Sequence, residues 1–149
     1  MKLLWIFKVK MLKIRAHHLL CIPRYYSGGY DKRFAKNMKK ICLFIRRNPS
    51  TNIKITTKCD VLCAKCLHRK GNICIQTPKM QKWVLSHDKK ILNYLKLKEN
   101  SICLAKDVFN ISIQEVNDKT IKFVCKSCIF LDNCVKVGIN NSFRKELNK

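Results

Sequence analysis

Two cysteine-rich stretches, Cys63-x2-Cys66-x7-Cys74 and Cys125-x2-Cys128-x5-Cys134, constrain this chain more than any other feature. Each begins with a C-x2-C pair and closes with a third cysteine a few residues later. A tight turn can aim both sulfurs of such a pair at one ion while backbone N–H groups point inward and offset the thiolate charge. Two such trios predict metal, with the long cysteine loops pinned by it. The 58 residues between Cys66 and Cys125 far exceed the roughly 15 to 20 between the pairs of a compact zinc ribbon, which disfavours one ribbon joining the pairs. A trio with a remote fourth ligand suits an iron-sulfur cluster; zinc is the alternative.

Cys21 is the natural fourth thiolate for one trio, leaving the other to a histidine, another cysteine or an exogenous ligand. It sits in His17-His18-Leu19-Leu20-Cys21. In a helix both imidazoles can share a face with the thiol, whereas in a strand only His17 can. His17 and His18 are therefore candidate ligands or acid–base groups, with hydrogen bonding inside the core as the alternative role. His87 reads as a satisfied core histidine and His68 as a loop residue. Cys42, Cys59 and Cys103 are set aside as non-ligands. Asp88 is the one carboxylate singled out, against the alternative of a solvated helix position.

With 149 residues, nearly half of them hydrophobic, and few glycines and prolines, the chain suits one domain with a core. Residues 1–10 read as an extension before Met11, residues 11–140 as the cysteine-rich domain and residues 141–149 as a polar tail that frays. No apolar run approaches the roughly 18 to 20 residues of a membrane span. Leu3 to Phe7 is too short for a signal-peptide core, so the expected setting is cytoplasmic, where cysteine clusters bind metal or react more often than they form disulfides. The formal charge of +23 comes from lysines spread from Lys2 to Lys149. A polyanionic partner such as nucleic acid is compatible with that charge but not favoured, because no single basic stripe concentrates it.

The expected fold class is α+β, mostly helical with short strands. Leu12, Ile14 and Ala16 alternate as a strand, and residues 53–57 form another. Asp31 caps a helix carrying Phe34, Met38, Ile41, Cys42 and Ile45 on one face, ended by Asn48-Pro49. Residues 59–77 are expected to be loop. A second helix opens at Thr77-Pro78 and presents Met80, Trp83, Val84, His87, Ile91 and Leu95. One or two short helices fill 104–124. No phosphate-binding glycine loop, dinucleotide fingerprint, H-E-x-x-H or G-x-S-x-G is present.

Arg15-x-His17-His18-Leu19-Leu20-Cys21, the Gly29-Tyr30 turn before a helix and the two cysteine trios together resemble the bacterial and archaeal family called domain of unknown function 1284, from about Met11 to Gly138. The resemblance implies metal binding, sometimes described as iron-sulfur, and no named reaction; if the iron-sulfur reading of the residues holds, a redox or electron-transfer role with a partner protein follows. By match it carries over Arg15, His17, His18, Cys21, Cys63, Cys66, Cys74, Cys125, Cys128, Cys134 and Asp88. This chain departs from the family pattern at Ser27-Gly28-Gly29-Tyr30-Asp31, at Leu67 and at Phe130. None of these removes a sulfur, but the first leaves no turn lysine to bind an anion.

Overall fold

Alternation of buried and exposed side chains organises the first strand, β1 (Met11–Arg15), in which Leu12 and Ile14 point into the core. It pairs in parallel with β2 (Asn52–Thr56), with Leu12 opposite Ile53 and Ile14 opposite Ile55, all four buried. A parallel pair needs a long crossover. Here it contains α1 (His18–Cys21), a 3-10 turn at Ile22–Arg24, and α2 (Lys32–Arg47). The computed structural model describes residues 10–75 and 79–149. The expected extension 1–10 therefore lies, except for Lys10, outside the described residues, as do Thr77 and Pro78.

Helix α2 follows the sequence closely. The Asp31 carboxylate accepts from Phe34 N at 2.7 Å, satisfying one of the free N–H groups of the first turn. Met38, Ile41, Cys42, Phe44 and Ile45 form its buried face, and Cys42 is a core residue. Gly29, just before this helix, has a φ of 144°, and a Cβ there would collide with the Phe34 ring. The chain can approach the helix this closely only with glycine.

The first cysteine loop departs from plain loop. It contains a 3-10 turn at Cys63–Lys65 and a small hairpin of β3 (Arg69–Lys70) and β4 (Ile73–Cys74). Local backbone pairing suffices for so short a hairpin, and no hydrophobic alternation announces it. Helix α3 (Met80–Leu95) follows, ending in a left-handed Lys96. β5 (Ile102–Leu104) pairs antiparallel with β2, giving the sheet order β1-β2-β5. Residues 104–124 form α4 (Ala105–Glu115) and α5 (Asp118–Val124), the latter capped by Asn117. The second cysteine stretch runs into α6 (Leu131–Val137). The fold is thus mostly helical α+β, and among the described residues no helix is long and apolar enough to cross a membrane.

The expectation of a fraying tail is corrected. Residues Asn141–Leu147 form α7, capped by the Asn140 side chain and packed on α2. Phe143 and Leu147 are buried, and the Phe143 ring meets Phe109 edge to face at 5.7 Å. Two apolar side chains four residues apart anchor an otherwise polar helix. Phe143→Ala should destabilise the protein by about 3 to 5 kcal/mol, the range for removing a core aromatic. A denaturant melt monitored by circular dichroism checks this.

Candidate metal centre

At the end of β1 the chain places a cation in the protein interior. The Arg15 side chain is 1 % exposed and donates from Nε to Asp88 Oδ2 at 2.7 Å and from Nη2 to the Thr57 carbonyl at 2.6 Å. Its Nη1 lies 3.8 Å from the Cys59 sulfur. Asp88, on α3, is fully buried, which overturns the alternative of a solvated helix position. Its other oxygen accepts from His17 N at 3.0 Å and from His17 Nδ1 at 2.8 Å. Burial works against ionisation of Asp88, but the His17 hydrogen bond, with His17 and Arg15 nearby, outweighs it and holds the carboxyl below its ordinary range.

A second buried carboxylate, Asp60, does the same for His18. Oδ2 accepts from His18 Nδ1 and from Arg15 N, both at 2.7 Å, while Oδ1 accepts from Leu62 N at 2.9 Å and Cys63 N at 3.1 Å. Each oxygen of this carboxylate thus accepts two hydrogen bonds. Burial penalises its charge, yet His18 and the donated N–H groups keep its pKa well below the usual carboxylate value. Asp60 carries no signal in a single sequence, because an Asp beside cysteines in a loop resembles any turn residue. An imidazole that donates Nδ1–H to a carboxylate and carries no second proton keeps the Nε2 lone pair, the arrangement common for metal-binding imidazoles, and the Nδ1 contacts of His17 and His18 suit it. His17 and His18 lie on one helical turn, their rings 4.3 Å apart.

Both imidazoles line a cavity of about 470 Å³ that is also lined by Cys21, Cys63, Cys66, Cys74, Cys125, Cys128 and Cys134. Every cysteine singled out for metal borders it, whereas Cys42, Cys59 and Cys103 do not. Both C-x2-C pairs close the same turn, Cys66 N donating to Cys63 O at 3.0 Å and Cys128 N to Cys125 O at 2.8 Å. Aromatic rings join the two loops: Tyr30 packs against His68 at 4.7 Å and Phe130 at 5.1 Å. His87 is buried, as expected of a core histidine, but its ring also reaches the site: it stacks on Trp83 at 4.9 Å, and its Nε2 is 4.0 Å from the Cys125 sulfur.

The thiols interact electrostatically in two groups. Burial raises the pKa of Cys21 well above 9.0, and the charges of Cys128, Cys134 and Cys125 add to the shift, so these four thiols lie within electrostatic reach of one another. Cys125 is pushed up to about 12, by burial first and then by Cys128 and Cys134. The Arg24 guanidinium, held by the Leu20 and Val116 carbonyls at 3.0 and 2.9 Å, faces this group and opposes the rise. In the other group, burial and then Asp60 raise Cys63, while Cys66 feels Cys74. The donor atoms of His18, Asp60 and Cys63 lie within 4.8 Å of one another, giving a His/Asp/Cys group able to hold a metal ion. Buried, crowded thiols with raised pKa values are a donor set that a cation would complete by displacing their protons.

The family model described as a protein of unknown function (DUF1284) matches residues 29–134. That span includes six of the seven cavity cysteines and leaves out His17, His18 and Cys21. No curated protein and no solved structure matches the chain.

Two consequences are measurable. Asp88→Ala leaves Arg15 as an uncompensated buried cation and should cost about 3 to 5 kcal/mol in a denaturant melt. For the metal-free protein, Cys42 and Cys125 sit near 12 when folded against 9.0 ordinarily. Their contribution to stability is intact below pH 9 and disappears as the pH climbs from 9 towards 12, because the unfolded chain ionises first. Thermal melts across that interval should show a falling midpoint.

Proposed function

The chain belongs to the domain of unknown function 1284 family, and on the geometry of its cavity we propose that it is an iron-sulfur protein with two cysteine centres and a role in electron transfer. The observation that carries this reading is the convergence of seven thiols and two carboxylate-oriented imidazoles on one cavity. Cys21, Cys125, Cys128 and Cys134 make up the four-thiolate centre. Cys63, Cys66 and Cys74 make up the other, with His18 as its non-thiol donor. His18 is preferred to Cys59 because it lines the cavity and is oriented by Asp60, whereas Cys59 does not line it and faces the Arg15 guanidinium.

Iron-sulfur is favoured over zinc for the four-thiolate group by spacing. Around a tetrahedral zinc, with Zn–S of about 2.3 Å, the sulfurs stand roughly 3.8 Å apart. Among the described residues the donors gathered within 4.8 Å are those of His18, Asp60 and Cys63, so no three sulfurs of this group are so close. A four-iron cluster would hold each cysteine on a different iron, and a two-iron cluster would hold them as two pairs on separate irons, so in either the four sulfurs stand more widely apart than around one zinc. When bound, such a cluster supplies one-electron oxidation and reduction. The protein's part is to stabilise the thiolates, through Arg24 and the backbone N–H groups of His68 at Cys66 and Phe130 at Cys128, and to exclude water with Tyr30, Phe34, Met38 and Trp83.

The compact His18–Asp60–Cys63 group supports a second reading, a structural zinc ion at that corner in a binding module for nucleic acid or protein. Anaerobic purification with iron, zinc and acid-labile sulfide analysis, alongside a visible spectrum, separates the two. Brown protein with iron and sulfide in near-equal amounts is the expected result. Colourless protein with stoichiometric zinc would favour the second reading. Cys128→Ala should lose metal and stability together, and Cys103→Ala neither.

A further inference from the structure

His87 stands outside the ligand set proposed above and is buried at 7 % exposure. A histidine used only for packing has no need to aim a ring nitrogen at a cysteine. Here the ring lies nearly parallel to Trp83, 18° between planes and 4.9 Å between centroids, so its orientation is fixed by stacking. That orientation brings Nε2 to 4.0 Å from the Cys125 sulfur. On its other side is the His17 ring at 5.6 Å, itself 4.3 Å from the His18 ring. Three imidazoles thus form a row from the His18–Asp60–Cys63 group to the four-thiolate group.

We propose that His87 is a positioning residue of the four-cysteine centre, donating Nε2–H to the Cys125 sulfur and so raising the reduction potential of that centre. This rests on the iron-sulfur reading. A metal-bound thiolate is an acceptor without a proton, so the nitrogen facing it carries the hydrogen. A neutral imidazole has a single N–H, for which the Cys125 sulfur competes with the neighbouring Val124 carbonyl. Reduction adds negative charge that spreads over the cluster and its cysteine sulfurs. A donor at one of those sulfurs therefore stabilises the reduced state more than the oxidised one, and hydrogen bonds to sulfur are among the main determinants of cluster potential. Trp83 fixes the ring plane and keeps that side of the centre dry, which strengthens the effect.

The test compares wild type, His87→Phe and His87→Gln, each reconstituted anaerobically with iron and sulfide and titrated while absorption and electron paramagnetic resonance are followed. Phenylalanine preserves the stack on Trp83 and most of the volume but has no N–H; glutamine retains an N–H donor. The expected result is unchanged iron and sulfide in all three, a more negative midpoint in His87→Phe and an intermediate value in His87→Gln. Full iron with an unshifted midpoint in His87→Phe would overturn the proposal and leave the iron-sulfur reading intact. Loss of iron in both variants would overturn it too, making His87 a ligand or a purely structural residue. Wild type without iron and sulfide would remove both readings together.

Discussion

The buried ion pair of Arg15 and Asp88 is the interaction on which the rest of the arrangement depends. It ties the end of β1 to the middle of α3, two elements far apart in the chain. The same guanidinium holds the Thr57 carbonyl after β2, and the Arg15 backbone N–H holds Asp60. A charge this deep is costly unless every partner is present, so the group tolerates little rearrangement. The benefit is orientation: each carboxylate that serves Arg15 also grips one imidazole at Nδ1 and turns its other nitrogen free. The position of His17 follows from the neutralisation of the Arg15 guanidinium by Asp88, and that of His18 from Asp60, which the Arg15 backbone N–H holds.

Around this anchor the cavity walls differ in rigidity. Helix α2 supplies an apolar wall through Phe34 and Met38, backed by the packed core that includes Ile14, Ile45, Ile53 and Ile55. The cysteine loops rest on shorter devices: two C-x2-C turns, a two-residue hairpin and the Tyr30 ring lodged between His68 and Phe130. Exposed apolar side chains, Leu67, Ile73, Ile75 and Ile129, belong to these loops. Regions with few buried contacts lie at the low end of local stability. On the proposed reading, metal supplies the cross-links that packing does not.

Legibility in the sequence varied with the kind of interaction. Helix α2 was readable from both its cap and its period, because Asp31 and the run from Met38 to Ile45 agree. β1 and β2 were readable from alternation, whereas the two- and three-residue strands β3, β4 and β5 were not, and six of the cavity cysteines were readable from the spacing of the two trios. Helix α7 was hidden, since only Phe143 and Leu147 mark its buried side among polar residues. Asp60 was hidden for another reason: its role comes from contacts with Arg15 and His18, distant in the chain, and no local pattern records them. His87 was seen as buried, yet its approach to Cys125 depends on how α3 and α5 pack, which periodicity does not encode. Which trio Cys21 joins was open for the same reason, since it stands 42 positions before Cys63 and 104 before Cys125 and neither separation decides contact.

The cavity draws its walls from nearly the full described length, beginning at Arg15 and closing with Cys134. A chain emerges from the ribosome at roughly 5 to 20 residues per second, so Cys21 is in solution on the order of ten seconds before its last partner exists. During that interval its thiol has no enclosing pocket and is open to oxidation or to capture by whichever soft metal arrives first. Correct assembly is therefore a matter of timing. On the proposed reading, loading follows synthesis, and the early thiols stay exposed until the last helices close over them.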